Sequence, residues 1–241
     1  MKIVGRSDIG RVRSSNQDNY DFDMLTANAC FALVCDGMGG ENGGNIASNI
    51  ASEIIGDKIR DSYRSKLEDN SIKNLMLSSI ATANYRIYET AKEDILLEGM
   101  GTTVVLVIYL NQTLHIAHAG DSRVYEIRDG RANQLTRDHS VTQALIEQGK
   151  ISKEEARTHP NKNYITKAVG VEPTLEAEYT NVKIETNSKI LLCSDGLTNF
   201  CDDNKISEII SEYDADTACS KLIEYANLAG GYDNITAVII C

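Results

Sequence analysis

Hydrophobic and polar positions divide the chain into helical and extended segments. In two early stretches, Ile46–Ile55 and Ile72–Ala91, apolar residues recur at the three- and four-residue spacing of amphipathic helices. A polar stretch at roughly 61–70 separates them. Two further helical patterns occupy about 203–212 and 215–228. The spacing therefore predicts one early and one late pair of helices.

Extended segments lie between and beside these helices. Two short polar turns, Asn111-Gln112 and Arg128-Asp129-Gly130, connect strand-like stretches and are typical of hairpins. The segment 137–170 is polar and helix-like in short pieces. The predicted strands are 2–4, 30–35, 102–110, 113–119, 122–127, 131–136, about 177–185, 189–193 and 235–241.

The order of these elements indicates the fold class. Consecutive strands with short turns favour antiparallel sheets, and helices grouped early and late differ from the alternation of a doubly wound sheet. A chain of 241 residues can bury a core without a disulfide or a structural metal. We expect one α+β domain over residues 1–241, with helix pairs covering the sheets and 137–170 as an inserted subdomain.

The charge balance and the cysteines narrow the function classes. Lys and Arg number 24 against 35 Asp and Glu, a net charge of −11, so the chain repels phosphate backbones overall. No stretch approaches the ~20 apolar residues of a spanning helix, and no signal peptide is apparent. Six cysteines without a Cys-x-x-Cys pair then indicate reduced thiols, and four histidines lack zinc spacing. We expect a cytoplasmic protein without nucleic-acid or membrane partners.

Four aspartates stand at the ends of predicted strands. Asp36 and Asp195 each follow an apolar run, Asp233 precedes the last strand, and Asp121 interrupts two strands. Carboxylates that meet at the rim of a core repel each other unless a cation lies among them. Oxygen ligands without His or Cys favour Mg²⁺ or Mn²⁺. The alternative is that each aspartate caps a strand or turns the chain, since spacing alone does not prove that they meet.

A glycine-rich loop and one arginine add candidate phosphate chemistry. The glycines between 37 and 44 follow Asp36 and precede a helix, so the backbone can approach an ion or an anion closely. A nucleotide site is weakly supported, because neither the P-loop nor the dinucleotide-binding pattern is present. Arg13 offers a guanidinium fork suited to phosphate, although a solvated surface arginine explains it equally well.

Seven ordered segments resemble the motifs of the metal-dependent (PPM, or type 2C) protein serine/threonine phosphatases. Each motif alone is weak, but the ordered set is highly specific and spans about residues 7 to 240. The matching segments are Gly10-x-x-Arg13-x-x-Asn16-Gln17-Asp18, Val34-Cys35-Asp36-Gly37-Met38-Gly39-Gly40, Gly99-Met100-Gly101-Thr102-Thr103, Ala119-Gly120-Asp121-Ser122-Arg123, Leu135-Thr136-x-Asp138-His139-Ser140, Ser194-Asp195-Gly196-Leu197 and Gly231-x-Asp233-Asn234-Ile235-Thr236.

The resemblance implies a fold and a metal centre. The fold is a four-layer α/β/β/α sandwich of two antiparallel sheets flanked by helix pairs, with 137–170 as a flap beside the active site. The centre holds two Mn²⁺ or Mg²⁺ ions. By motif position, Asp36 would bridge them, the Gly37 carbonyl would bind one, and Asp195 and Asp233 would bind the other. In members with a third ion, the position of Asp121 contributes, together with that of Asp195.

The resemblance also implies roles for three residues around the metals. Arg13 would grip the substrate phosphate. Asp18 would hold metal-bound waters, and Asn234 would orient Asp233 or a water. Two positions depart from patterns seen elsewhere in the family. Gln17 stands where many members have Glu, and Met38 stands where animal members have the His that is their candidate general acid.

The implied activity is hydrolysis of phosphoserine and phosphothreonine in proteins by a water molecule activated by two metals. Arg13, Asp36, Asp195 and Asp233 form the implied catalytic set. The implied partners are phosphoprotein substrates and a cognate bacterial serine/threonine kinase whose action the enzyme opposes. We expect a monomer, and the net charge of −11 favours substrates with basic residues around the phosphosite.

Two other functions stay open at this point. The first is a non-catalytic relative that binds phosphoproteins or regulates a partner, which the presence of all metal aspartates and of Arg13 disfavours. The second is another metal-dependent phosphohydrolase or a nuclease, since such sites act on many phosphate esters. The acidic balance counts against the nuclease.

Overall fold

The computed structural model describes residues 1–65 and 67–241, with the backbone alone at 41–42, and this part forms eleven strands and seven α-helices. Residue 66 of the predicted polar break lies outside it. The strands are β1 (Ile3–Asp8), β2 (Asp18–Thr26), β3 (Ala29–Met38), β4 (Gly101–Thr102), β5 (Val104–Leu110), β6 (Thr113–Ala119), β7 (Arg123–Arg128), β8 (Arg131–Gln134), β9 (Glu178–Lys183), β10 (Lys189–Cys193) and β11 (Ile235–Ile240). The helices are α1 (Gly40–Ser62), α2 (Asp69–Glu93), α3 (Val141–Glu147), α4 (Lys153–Thr158), α5 (Asp195–Thr198), α6 (Asp203–Glu212) and α7 (Ala215–Leu228), with a 3-10 turn at Ile95–Leu97.

The strands form two antiparallel sheets. One sheet has the order β1-β11-β10-β7-β8, and the other has the order β2-β3-β5-β6-β9, with β4 paired to β3. Both predicted hairpins are present, between β5 and β6 and between β7 and β8. Their turn residues have positive φ, 49° and 62° at Asn111 and Gln112, and 51° and 71° at Asp129 and Gly130. Such turns match the twist of the strands that they join.

The side chains of each strand point alternately to its two faces, and this alternation builds the four layers. In β3, Phe31 and Leu33 pack with the helix pair α1 and α2, whereas Ala32 and Val34 face the other sheet. That sheet buries its outer face, including Leu191, against the pair α6 and α7. Because successive side chains of a strand point to opposite faces, one apolar run serves two layers. The predicted α/β/β/α sandwich with an early and a late helix pair is confirmed.

Three elements were not predicted, one of them the 3-10 turn Ile95–Leu97. Strand β2 (Asp18–Thr26) pairs with β3, with a bulge between Met24 and Thr26. A one-turn helix, α5, follows β10 directly and begins at Asp195. The predicted strand 30–35 also extends beyond Asp36 to Met38.

The flap segment 137–170 contains α3 and α4. Helix α4 begins with a capping box, in which the Ser152 hydroxyl and the Glu155 carboxylate each accept from the other residue's backbone N–H. A backbone bridge between Ser140 and Ile165 closes the segment on itself, and a second bridge between Thr102 and Val169 ties it to the body. The flap therefore lies against β4, next to the end of β3.

Five of the six cysteines are buried, Cys241 is exposed, and all six are free thiols. This arrangement agrees with the prediction of reduced thiols rather than a disulfide framework. Within the described residues, the helices include none with the length and apolar character needed to cross a membrane.

Candidate active site

Strand ends bring the predicted aspartates together at one end of the sandwich. Asp36 lies near the end of β3, Asp121 between β6 and β7, Asp195 just after β10, and Asp233 just before β11. All four line one cavity of about 440 Å³. Strand β2 places Asp18 directly opposite Asp36 in the sheet. The other residues that line the cavity are Arg13, Ser14, Ser15, Gln17, Gly37, Met38, Gly39, Gly40, Thr103, Asn163 and Ile165.

The carboxyl groups of this cavity repel one another. Burial raises the pKa of Asp36 well above its ordinary value, and the charges of Asp18 and Asp195 raise it further. Burial also raises the pKa of Asp121, with Asp195 as the next cause, and that of Asp195, with Asp233 as the next cause. Ionised carboxylates are therefore costly in this cavity until positive charge enters it. This is the electrostatic behaviour expected of a site for divalent cations.

Asp18 has one satisfied and one unsatisfied oxygen. Its Oδ2 accepts hydrogen bonds of 2.6 Å from the hydroxyls of Ser194 and Thr236, whereas its buried Oδ1 has no partner. Burial raises the pKa of Asp18 to about 7. A buried acceptor without a donor is costly, so the position suits a water molecule or a cation as its partner.

Arg13 reaches the cavity from the loop between β1 and β2. Its Nη2 donates to Asp233 Oδ2 at 2.9 Å, and its side chain is 51% exposed. The other carboxylate oxygen of Asp233 accepts from the backbone N–H of Asn234 at 2.9 Å. The guanidinium therefore lies at the mouth of the cavity, beside a candidate metal ligand and free to turn toward a bound anion.

The Asn234 side chain holds the loop that contains Arg13. Its Nδ2 donates to the carbonyls of Ile9 at 2.9 Å and Ser15 at 3.0 Å, and its Oδ1 accepts from the N–H of Gln17 at 2.8 Å. The contact with Asp233 is thus made by the Asn234 backbone, while the amide fixes the loop. Orientation of a water by this amide stays a prediction.

Glycines allow the loop after Asp36 to pack backbone against backbone. A Cβ on Gly37 would lie 2.1 Å from the carbonyl oxygen of Gly44, and one on Gly44 would lie 2.7 Å from the carbonyl carbon of Gly37. The Gln17 amide donates to the Gly40 carbonyl at 2.7 Å. A glutamate at 17 could not donate this bond, so the departure from the family pattern has a structural role here.

Several residues of the site lie in the recognised motifs but received no role from the sequence. The Thr103 hydroxyl accepts from the N–H of Asp36 at 3.0 Å and hydrogen-bonds the Ser122 hydroxyl at 2.7 Å, linking the two segments that position Asp36 and Asp121. Ser194 and Thr236 hold Asp18 as described above. Asn163 and Ile165 bring the flap into the cavity wall. No periodic pattern marks such isolated residues.

A second cluster of possible metal ligands lies outside the cavity. In the described part of the chain, only His118, His139 and Glu178 bring one ligand atom each within 4.8 Å of one another, so the aspartates are more widely spaced. The rings of His118 and His139 stack with centroids 4.6 Å apart and planes 2° apart. His118 Nε2 donates to the Arg137 carbonyl at 2.8 Å, and His139 Nδ1 accepts from the Gly120 N–H at 3.2 Å, so these two nitrogens already have partners in the protein. The wider aspartate set suits Mg²⁺ or Mn²⁺ that keep several water ligands.

Comparison with known proteins gives consistent matches over the whole chain. The family profile described as protein phosphatase 2C matches residues 4–225. The serine/threonine phosphatase stp of Listeria welshimeri is 36% identical over 241 residues, covering 100% of this chain and 95% of that protein. The structure of the S. agalactiae serine/threonine phosphatase has a TM-score of 0.92 and 36% identity, covering 99% of this chain and 98% of that chain. The catalytic domain of the phosphatase PstP in complex with two manganese ions has a TM-score of 0.84 and 30% identity, covering 99% of this chain and 96% of that chain.

Proposed function

Since the chain belongs to the protein phosphatase 2C family of serine/threonine phosphatases, we propose that it hydrolyses phosphoserine and phosphothreonine in proteins with two divalent cations in the aspartate cavity. The observation that supports this most strongly is the convergence of four aspartates from separate strand ends on one cavity that Arg13 also lines. Their raised pKa values reflect burial and mutual repulsion of the carboxylates, which bound divalent cations would relieve.

We assign the cations to the residues whose chemistry fits them. Asp36 would be shared by both ions, the Gly37 carbonyl would bind one, and Asp195 and Asp233 would bind the other. Asp121 would help to hold a third. The PstP catalytic domain, similar over 99% of this chain, is a complex with two manganese ions. Bound Mn²⁺ or Mg²⁺ would neutralise phosphate charge and activate a water molecule for attack on phosphorus.

The protein's own groups then bind and orient the substrate. Arg13 would exchange its hydrogen bond with Asp233 for two hydrogen bonds from its guanidinium N–H groups to phosphoryl oxygens. These bonds would stabilise the negative charge on those oxygens in the transition state. The unpartnered Oδ1 of Asp18 would accept a hydrogen bond from a water molecule and so orient that water. Met38 has no proton to donate, so we propose that the leaving serine or threonine oxygen takes its proton from water.

We further propose the cellular role that this chemistry supports. The substrates are phosphoproteins made by a serine/threonine kinase, whose effect the enzyme reverses as a monomer. Six free thiols, five of them buried, suit the reducing conditions of a cytoplasm.

The test is phosphate release from three peptides of one sequence that contain phosphothreonine, phosphoserine or phosphotyrosine. With Mn²⁺ present we expect release from the first two, far slower release from the third, and complete loss in excess EDTA. Release that persists in EDTA would contradict the metal-dependent mechanism. No release over a wide range of Mn²⁺ and Mg²⁺ concentrations would contradict the activity itself.

A further inference from the structure

A second cleft adjoins the catalytic cavity on the side of the flap. It has a volume of about 130 Å³ and shares Asp121 and Asp195 with the cavity. Lys162, which lines this flap cleft, directly precedes Asn163, which lines the catalytic cavity. A substrate segment that places its phosphoryl group in the cavity can therefore extend into the flap cleft.

Three cations of the flap line this cleft. Lys153 and Arg157 are four residues apart on α4, so both lie on one face of that helix, and Lys162 follows in the next turn. All three side chains are exposed. Within the described part of the chain, none of the three has a carboxylate within 4.0 Å of its charged nitrogens.

The other charged residues of the flap cleft are largely occupied. Arg123 donates from Nε and Nη2 to the Asp138 carboxylate, at distances between 2.6 and 3.1 Å, so the opposite charges of these two residues offset each other. Asp121 and Asp195 belong to the proposed cation site. Asp203 is the remaining carboxylate, against three unpaired cations. With Asp121 and Asp195 neutralised by the proposed cations, the flap cleft is locally basic on a chain whose net charge is −11.

We propose that the flap cleft binds a second anionic group of the substrate, a phosphoryl group or a carboxylate that lies a few residues from the phosphoresidue. This inference rests on the proposed phosphatase function and names a determinant of its substrate choice. One residue of an extended peptide spans about 3.3 Å, so a neighbour one to three residues away can reach an adjoining cleft. The planar fork of Arg157 suits either anion, and the two lysines add point charges.

This proposal differs from the expectation based on net charge. The overall charge of −11 acts at long range and favours substrates with basic flanks, whereas the flap cleft acts at contact. One set of peptides distinguishes the two. The parent is a phosphothreonine peptide with neutral flanks. Further peptides place a single Glu, a single non-hydrolysable phosphonate analogue of phosphoserine or a single Lys at each of three positions before and after the phosphothreonine.

The test compares kcat/KM of the wild type with that of the triple variant Lys153→Gln, Arg157→Gln, Lys162→Gln. We expect the wild type to favour at least one acidic position by about 3- to 10-fold over the parent, and the triple variant to lose this preference. Added salt should weaken it. A matched triple variant at exposed cations outside both cavities, Lys150→Gln, Arg131→Gln, Lys183→Gln, should retain it.

The outcomes separate the two proposals. A gain with the phosphonate alone identifies a phosphate site, and a gain with Glu as well identifies a general anion site. Equal rates for acidic and neutral peptides, a gain with Lys only, or an acidic preference that survives the triple variant would overturn the inference while the phosphatase function stands. If even the parent peptide is not hydrolysed, the proposed function fails. Fluorescence anisotropy of the same peptides on Asp36→Asn then tests the flap cleft, and equal binding of acidic and neutral peptides overturns it.

Discussion

At the scale of single residues, Asp18 shows how the site sets stability against function. Its carboxyl is buried, held at Oδ2 by two hydroxyls, and without a partner at Oδ1. An Asn at this position would remove the buried charge and keep an oxygen for the two hydroxyls. Folding stability alone therefore does not explain why an aspartate stands at this position.

The pH dependence of stability follows from this carboxyl. Its pKa of about 7 in the folded protein lies above its value of about 3.9 in an unfolded chain, so the folded state holds the proton more tightly. In EDTA, its contribution to the free energy of unfolding is present below about pH 4 and is lost as pH rises to 7. Tm measured from pH 5 to 8 should fall less for Asp18→Asn than for the wild type. Parallel curves would contradict the assignment.

At the scale of elements, His139 joins the flap to the turn that contains Asp121. Its N–H donates to the Gly120 carbonyl at 2.9 Å, and its Nδ1 accepts from the Gly120 N–H at 3.2 Å. The His139 carbonyl accepts a hydrogen bond from the backbone N–H of Thr166 at 2.7 Å. Burial lowers the pKa of His139, which keeps the ring neutral and Nδ1 available as an acceptor. We therefore expect His139 to act as a positioning residue for Asp121 and for the wall formed by Ile165.

Two substitutions separate this role from simple packing. An Asn amide can replace the acceptor at Nδ1, whereas a Gln amide reaches the Nε2 position and leaves the Gly120 N–H unpaired, at a cost of about 1–3 kcal/mol. We expect His139→Gln to lower kcat about tenfold and the Mn²⁺ affinity with it, and His139→Asn to retain most of both. Equal losses in the two variants, measured by phosphate release and Mn²⁺ titration, would argue for a packing role alone.

The elements also show which parts of the fold are readable in the sequence. The long helices were predicted because many apolar positions repeat at helical spacing. Strand β2 was missed although Tyr20 and Phe22 alternate with Asp21 and Asp23, because half of its residues are polar and it follows a loop without a clear boundary. Helix α5 is a single turn and is too short to show any period.

The same distinction applies to the site. Aspartates at strand ends are visible in the sequence, but their convergence depends on sheet register, as where β2 sets Asp18 opposite Asp36. Such long-range pairing leaves no local signal. The hydroxyls of Thr103 and Ser194 are likewise isolated residues whose partners are 67 and 176 positions away in the chain. The resemblance to a family, rather than periodicity, pointed to those segments.

At the scale of the whole molecule, the sandwich supports a cavity whose aspartates repel one another. Cations should therefore stabilise the fold, because they bind the native arrangement and not the unfolded chain. In EDTA, Asp36→Asn should raise Tm by about 2–4 °C, since it removes one of the repelling charges. Mn²⁺ should raise Tm of the wild type and raise that of Asp36→Asn much less. Differential scanning calorimetry with and without Mn²⁺ measures both effects, and a lower Tm for the variant in EDTA would contradict the repulsion.

The most direct measurement of the central claim is phosphate release from a phosphothreonine peptide as Mn²⁺ is increased, for the wild type, Asp36→Asn and the control Asp61→Asn. Asp61 is exposed on α1 and lines neither the catalytic cavity nor the flap cleft. We predict saturable activity for the wild type and the control, and at least a 100-fold loss for Asp36→Asn at every Mn²⁺ concentration, because removal of one group that stabilises the transition state costs about that much. Activity of Asp36→Asn within a few-fold of the wild type would contradict the assignment of this cavity as the catalytic centre.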